Sequence, residues 1–410
     1  MASPSVVKNS IPVATSPLRE HNFRMYWIGS AISLLGDQFY LVALPWVVLQ
    51  MTGSAIAVGT VMMAASIPRA LLMLLGGALT DRISARKIYM GTAAARTFFV
   101  AAIGVLLWMN KLRIGELYAL GFAFGVADAF SMPAASTFFP SLVKRDQMVA
   151  ATSIFQTTAQ LTSIAAPTPA ALVIKALGYA WAFFIDAFSF LFVIAALWRL
   201  PDPPLPQTAA KKPPVWRSIH EGFVYVHRDV PLRSLMLLAA MMNLCVTGPM
   251  SVGLPYLAKM KFGSPTMYGV LVSCMAAGGL LGAFAAGVWK VKRRGFLLFS
   301  SCAVLGLCLG SIGILNRAWL VAGVLLLMAT SVSVSNVHIT AWIQQRIDPA
   351  VRGRVISVLM LSGFGIMPIS MAAAGFLVAW NLQWMFLLAS AALLLVTGFG
   401  VLHQQVREIE

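Results

Sequence analysis

The sequence predicts an all-α polytopic membrane protein with twelve membrane-spanning helices in two related six-helix bundles. Three observations predict it. Of 410 residues, 59% are hydrophobic and 10% are Asp, Glu, Lys or Arg, against about 25% charged residues in an ordinary soluble domain. The mean hydropathy is +0.83. The apolar residues fall into long runs, and the basic residues collect in alternate connections between them. Too little charge is present to cover a water-facing exterior. This excludes a soluble enzyme, a nucleic-acid-binding module, a disulfide framework and a disordered tail protein, and makes the lipid bilayer the main partner.

A spanning helix needs about 20 mainly apolar residues. The runs that qualify are 25–51, 55–79, 88–108, 117–139, 150–173, 180–200, 235–257, 268–288, 296–315, 318–343, 355–379 and 384–403. One long polar interruption, 201–233, carries Pro201, Pro203, Pro204, Pro206, Lys211, Lys212, Pro213 and Pro214. The expected organisation is therefore an N-terminal tail (1–24), a first bundle (25–200), a linker (201–233), a second bundle (234–403) and a C-terminal tail (404–410). Met1 to Pro17 is polar and lacks the apolar core and cleavage site of a signal peptide.

Lys and Arg number 30 against 13 Asp and Glu, a formal charge of +17. On a membrane chain this reflects the bias of Lys and Arg toward cytoplasmic loops. With the N-terminus inside, twenty-two basic residues fall in inside segments and six in outside ones. Arg69 and Arg96 lie within spans. The bias places both termini in the cytoplasm.

A gapless shift of 210 residues aligns Leu44 with Leu254, Pro45 with Pro255, Gly53 with Gly263, Ser54 with Ser264, Gly59 with Gly269 and Gly77 with Gly287. The matches fall at the end of a helix, at a turn and at the end of the next helix. Two six-helix halves of like orientation form a known transporter plan, with the substrate site near the midplane between them.

Ionisable residues inside a membrane are expensive and by default functional. Asp37, Arg69, Arg96 and Asp128 lie near the centres of their runs, and Asp186 lies nearer the outer third of its own. Similar depth pairs Asp37 with Arg69, and Arg96 with Asp128. Fixed ion pairs would also explain them. Asp37 is the foremost proton or cation site, because Gly36-Asp37-Gln38 is a polar patch in an apolar helix. A desolvated carboxylate beside an arginine could load and release a proton. No acidic residue occurs between Asp229 and Asp348, so carboxylate-borne coupling belongs to the first half. The second half would supply neutral walls, with Asn243, Thr247, Tyr256 and Asn336 joining Gln38 as candidate polar cavity residues. His338 is a further titrating group, read as a solvated or core histidine.

Pro45, Pro167, Pro255 and Pro368 are candidate bending points, since each frees a backbone carbonyl. Small residues crowd 276–287 and permit close helix approach. Cys245, Cys274, Cys302 and Cys308 lie in apolar runs without metal-ligand spacing, and read as packed thiols. No metal or cofactor is expected.

The connection Gly77-Ala78-Leu79-Thr80-Asp81-Arg82-Ile83-Ser84-Ala85-Arg86-Lys87 resembles the signature loop between helices 2 and 3 of the major facilitator superfamily. The resemblance implies the major facilitator fold, and a cytoplasmic gate at Gly77, Asp81, Arg82, Arg86 and Lys87. Asn22-Phe23-Arg24, Gly36-Asp37-Gln38, Leu44-Pro45-Trp46, Thr52-Gly53-Ser54, Met132-Pro133-Ala134, Phe139-Pro140-Ser141-Leu142-Val143, Asp186-Ala187-Phe188-Ser189-Phe190 and Arg352-Gly353-Arg354-Val355 resemble the macrolide-efflux branch of drug:proton antiporters, to which the enterobactin exporters also belong. Ala165-Ala166-Pro167-Thr168-Pro169-Ala170-Ala171 keeps the proline of the antiporter motif and has alanines for its glycines. The resemblance implies a monomeric multi-pass protein of the bacterial inner membrane.

The expected function is secondary active export of amphipathic or hydrophobic small molecules, with proton antiport and alternating access. The alternative is export of one defined metabolite such as a siderophore, or movement of a lipid-like molecule, with or without protons. An anionic substrate would make Arg69 or Arg96 a direct ligand. An intramembrane enzyme is disfavoured, because no His-Glu-x-x-His or Gly-x-Ser-x-Gly motif is present.

Overall fold

A computed structural model describes residues 16–80, 83–202, 215–288, 294–347 and 349–402, and among them every regular element is helical. The helices are α1 (His21–Thr52), α2 (Ala55–Thr80), α3 (Ala85–Trp108), α4 (Ile114–Phe138), α5 (Met148–Ala165), α6 (Pro167–Leu177), α7 (Tyr179–Arg199), α8 (Val215–Arg228), α9 (Val230–Gly248), α10 (Leu254–Leu257), α11 (Pro265–Val288), α12 (Arg294–Ile314), α13 (Ala318–Arg346), α14 (Pro349–Trp380) and α15 (Leu382–Leu402). Among the described residues, ten helical stretches are long and apolar enough to cross a bilayer, and Pro167–Leu177 and Leu382–Gly398 are shorter apolar helices.

Besides shifts at helix ends, such as α14 starting at Pro349 where the run begins at 355, three differences between the predicted runs and the observed helices matter for the fold. The run 150–173 is two helices, not one. Pro167 has no N–H to continue the ladder, so α5 stops at Ala165 and α6 starts with the proline as its first residue. The run 235–257 begins earlier and ends later, at Val230 and Phe262, with π-helical turns at Pro249–Gly253 and Ala258–Phe262 on either side of the short α10. There the hydroxyl of Ser370 in α14 donates to the Leu244 carbonyl at 2.6 Å and accepts from the Gly248 N–H at 2.7 Å. It sits between the two groups that an α-helix would bond directly. The third difference lies in the polar stretch 201–233, which contains α8. The helix turns Val226 into a cluster with Leu232, Leu235, Trp342, Ile343 and Val355. Pro45 and Pro368 interrupt nothing: α1 and α14 run on through them.

α1 lies on α7, α2 on α4 and α3 on both α4 and α7; farther along the chain α11 packs on α13, α12 on α15 and α9 on α14. Several contacts join the earlier helices to the later ones, and these include three made through polar groups. α2 meets α14, where Ser66 Oγ reaches Met371 Sδ at 3.4 Å. α5 and α6 meet α11, where Gln160 Nε2 donates to the Ala276 carbonyl at 2.7 Å and Thr168 pairs with Ser273 at 3.1 Å. Lys259 Nζ donates to the Leu49 carbonyl at the end of α1, at 2.6 Å. Gly59 and Gly269 sit at two of these contacts. A side chain at Gly59 would collide with the Met371 carbonyl, and one at Gly269 with the Pro167 carbonyl.

Candidate functional site

Four charged side chains meet inside the bundle, each delivered by a different helix. On α1, Tyr26, Ser30, Ser33 and Asp37 recur at helical spacing and line one cavity. On α2 and α4 the charges are brought together by a close backbone approach. Gly125 faces Ala65 so tightly that a Cβ would lie 2.9 Å from the Ala65 carbonyl carbon. About one turn further along each helix stand Asp128 and Arg69. α3 contributes Arg96.

These groups form a chain. Arg69 Nε lies 2.7 Å from Asp128 Oδ2, Asp128 Oδ1 lies 3.6 Å from Arg96 Nη1, and Arg96 Nη2 donates to Asp37 Oδ1 at 2.6 Å. The expected pairing is corrected in part: Asp37 binds Arg96, not Arg69, while the expected Arg96–Asp128 pair is present beside a shorter Arg69–Asp128 one. Depth along the helices allowed both schemes, and the lateral order α2–α4–α3 decides between them. Arg96 is the more enclosed arginine, with its side chain 12% exposed against 31% for Arg69. Its guanidinium lies 4.3 Å from the Phe190 ring centroid and 5.0 Å from that of Phe124, a favourable cation–π setting. Two carboxylates and two guanidiniums leave the ionised cluster neutral, which an apolar environment favours.

Asp186 stands apart from this chain. It is fully buried on α7, and both carboxyl oxygens lack a hydrogen-bond partner among the described residues. It faces Gly36, where a Cβ would lie 2.6 Å from Ser189 Cβ and 2.9 Å from Asp186 Oδ1. That puts it at the depth of Asp37, deeper than its place in the run implied.

The cavity has a volume of about 640 Å³. It is lined by Asp37, Arg69, Arg96 and Asp128, by Ser30, Ser33, Ser131 and Gln156, and by an apolar wall of Met73, Met132, Phe139, Phe155 and Phe364. Tyr26, Tyr89 and Thr152 carry it toward the start of α1, α3 and α5. Among the described residues, Phe364 is the one lining residue from the later helices. Gln38, Asn243, Thr247, Tyr256 and Asn336 do not line it. Asn243 instead donates to the Ala239 carbonyl of its own helix at 2.9 Å, Tyr256 packs on the apolar core, and Asn336 is exposed. His338 Nδ1 lies 2.9 Å from the Val334 carbonyl.

At the signature loop, Asp81 and Arg82 lie outside the described residues, Gly77 falls in the last turn of α2, and Lys87 is exposed. Arg86 is tied to the end of α7 and the residue Asp202 beyond it. Its Nε donates to the Leu197 carbonyl at 2.5 Å, its Nη2 to the Trp198 carbonyl at 2.9 Å, and its Nη1 lies 3.5 Å from Asp202. Ser84 caps α3 and donates to Asp202 at 2.6 Å. Arg86 thus fastens α3 to the end of α7 and makes no bond to the later helices among the described residues.

Many apolar helices surround an ion-pair chain and an inter-helix cavity, the architecture of a multi-pass membrane protein with a polar interior. The chain belongs to the transmembrane secretion effector family, whose model matches residues 13–410. It is 28% identical over 391 residues to the multidrug efflux pump Tap of Mycolicibacterium fortuitum, covering 92% of this chain and 94% of that one. It is 23% identical over 341 residues to macrolide efflux protein A of Streptococcus pyogenes, covering 82% and 84%. Among solved structures, a bacterial homologue of the iron transporter ferroportin in its inward-facing state superposes with a TM-score of 0.74 at 17% identity, over 92% of this chain and 97% of that one. At that identity the likeness concerns the fold alone.

Proposed function

We propose that this protein is a secondary active transporter that exports amphipathic small molecules across the bacterial inner membrane in exchange for protons, working as a monomer with both termini in the cytoplasm. The observation that carries the reading is the Asp37–Arg96–Asp128–Arg69 chain, set inside apolar helices and facing a drug-sized cavity. The named activities of the drug- and macrolide-efflux relatives support the direction and the substrate class.

The ten long apolar helices, the broken pair α5 and α6 and the helix α15 make twelve spans, six in 25–200 and six in 234–403. Gly59 and Gly269, equivalent under the 210-residue shift, each admit a helix of the opposite half. This reciprocity supports two related halves rocking about the cavity. The contacts between halves gather toward the Gly53 and Gly263 turns, while the cavity extends the other way. That arrangement corresponds to a state open to the cytoplasm. Asp37 is the proton site, Arg96 its counter-ion, and Arg69 and Asp128 complete the charge balance. The loop from Gly77 to Lys87 forms the cytoplasmic gate through Asp81 and Arg82, with Arg86 bracing its far end.

Everted vesicles with an acidic interior test this reading. Addition of a transported amphiphile should collapse the proton gradient only in vesicles that contain the protein. Movement of labelled substrate without gradient collapse would remove proton exchange from the account.

A further inference from the structure

The four charges of the cavity are not equally occupied. Arg96 is engaged on both terminal nitrogens, by Asp37 and Asp128, and has aromatic rings against it. Arg69 meets Asp128 with Nε 2.7 Å from Oδ2. Its two terminal nitrogens make no hydrogen bond among the described residues, and it is the most exposed member of the chain. A guanidinium offers five donors in a planar fork, so Arg69 presents an open fork to the cavity. Both carboxylates, in contrast, already have a guanidinium against them. The later helices add no acid, since none occurs between Asp229 and Asp348. A cation entering this cavity meets no uncompensated carboxylate, whereas an oxygen acceptor meets unused donors.

The apolar surroundings fit the same polarity. Met73 is one turn from Arg69 on α2, Met132 one turn from Asp128 on α4, and Phe155 and Phe364 complete the wall. Thioether and aromatic groups accept flat apolar bodies of varied shape. A ligand with its polar end on Arg69 would lay its apolar body along this wall.

We infer that Arg69 is the substrate-binding cation of the cavity, and that the preferred substrate is an amphiphile whose polar end is an oxygen acceptor, neutral or anionic, not a basic amine. The inference rests on the transport reading and names the substrate class of the same site.

The test uses the purified full chain in detergent and amphiphiles matched in aromatic body but differing in charge: xanthene and naphthalene dyes with a carboxylate, an amide or a quaternary amine. Equilibrium binding is read by fluorescence anisotropy for wild type, Arg69→Gln and Arg69→Lys. The acid and amide should bind saturably to wild type and the amine at least tenfold more weakly. Arg69→Gln should weaken acid binding about 10- to 100-fold, the range expected for a lost charge-assisted hydrogen bond. Arg69→Lys should restore part of it. The comparison of charges on wild type stands even if a variant fails to fold. Preference for the amine, or unchanged acid binding by a folded Arg69→Gln, would overturn the inference and leave the transport reading in place. Binding of no amphiphile of any charge would overturn both.

Discussion

Arg96 Nη2 stands 2.6 Å from Asp37 Oδ1, and this bond joins α3 to α1 across the middle of the bundle. Removing one partner of such a pair leaves a charge without compensation in a medium that solvates it poorly. Arg96→Gln should destabilise the protein by roughly 3 kcal/mol, read as unfolding in detergent. Combining it with Asp37→Asn should recover much of the loss, because the neutral pair has no charge to strand. A double variant as unstable as Arg96→Gln alone would mean that Asp37 is not the group Arg96 compensates.

Gly125 sets the approach of α4 to α2, and with it the Asp128–Arg69 distance. A Cβ there would lie 2.9 Å from one Ala65 backbone atom and 3.2 Å from another, and backbone cannot swing aside. Gly125→Ala should destabilise the protein by about 1–3 kcal/mol and lower transport at least severalfold, by separating the two charges. Unchanged stability and transport would show that the helices have slack at this contact.

The Ser370 hydroxyl stands between the Leu244 carbonyl and the Gly248 N–H. Ser370→Ala lets those two groups bond directly, which should tighten α9 and shift the π-helical turn at Pro249–Gly253. Hydrogen exchange at the Gly248 amide should slow in the variant. Faster exchange would mean that the opened turn is held by other contacts.

Arg86 caps the last carbonyls of α7 and pairs with Asp202. Arg86→Ala should cost about 1 kcal/mol of stability, as loss of a cation from a helix C-terminus does. The ratio of protons to substrate moved by the surviving folded protein should stay as in wild type. A changed ratio would mean that Arg86 takes part in coupling and does more than brace the gate loop.

The membrane character and most of the spans were legible in the sequence because each span is a long apolar run, and lipid imposes that composition directly. The charges Asp37, Arg69, Arg96 and Asp128 were legible for the same reason, as exceptions to it. The Arg96–Asp128 pair was legible too, but Asp37–Arg96 and Arg69–Asp128 were not, because depth is a property of one helix and lateral order is a property of the whole bundle. The polar wall at Ser30, Ser33, Ser131 and Gln156 was missed, although Tyr26, Ser30, Ser33 and Asp37 carry its signal as a polar stripe of helical period on α1. Asn243, Thr247 and Asn336 were chosen by residue type within apolar runs, and residue type does not say which face of a helix meets the cavity. The helix α8 was hidden by the prolines before it and by its many polar residues.

The central claim is that Asp37 couples proton movement to substrate movement, and its most direct test compares wild type with Asp37→Asn in proteoliposomes. Two quantities would be measured: exchange of labelled for unlabelled substrate at equal pH, and uphill substrate accumulation driven by a pH gradient. The account predicts that Asp37→Asn still exchanges substrate but no longer accumulates it. Undiminished gradient-driven accumulation by the variant would contradict it.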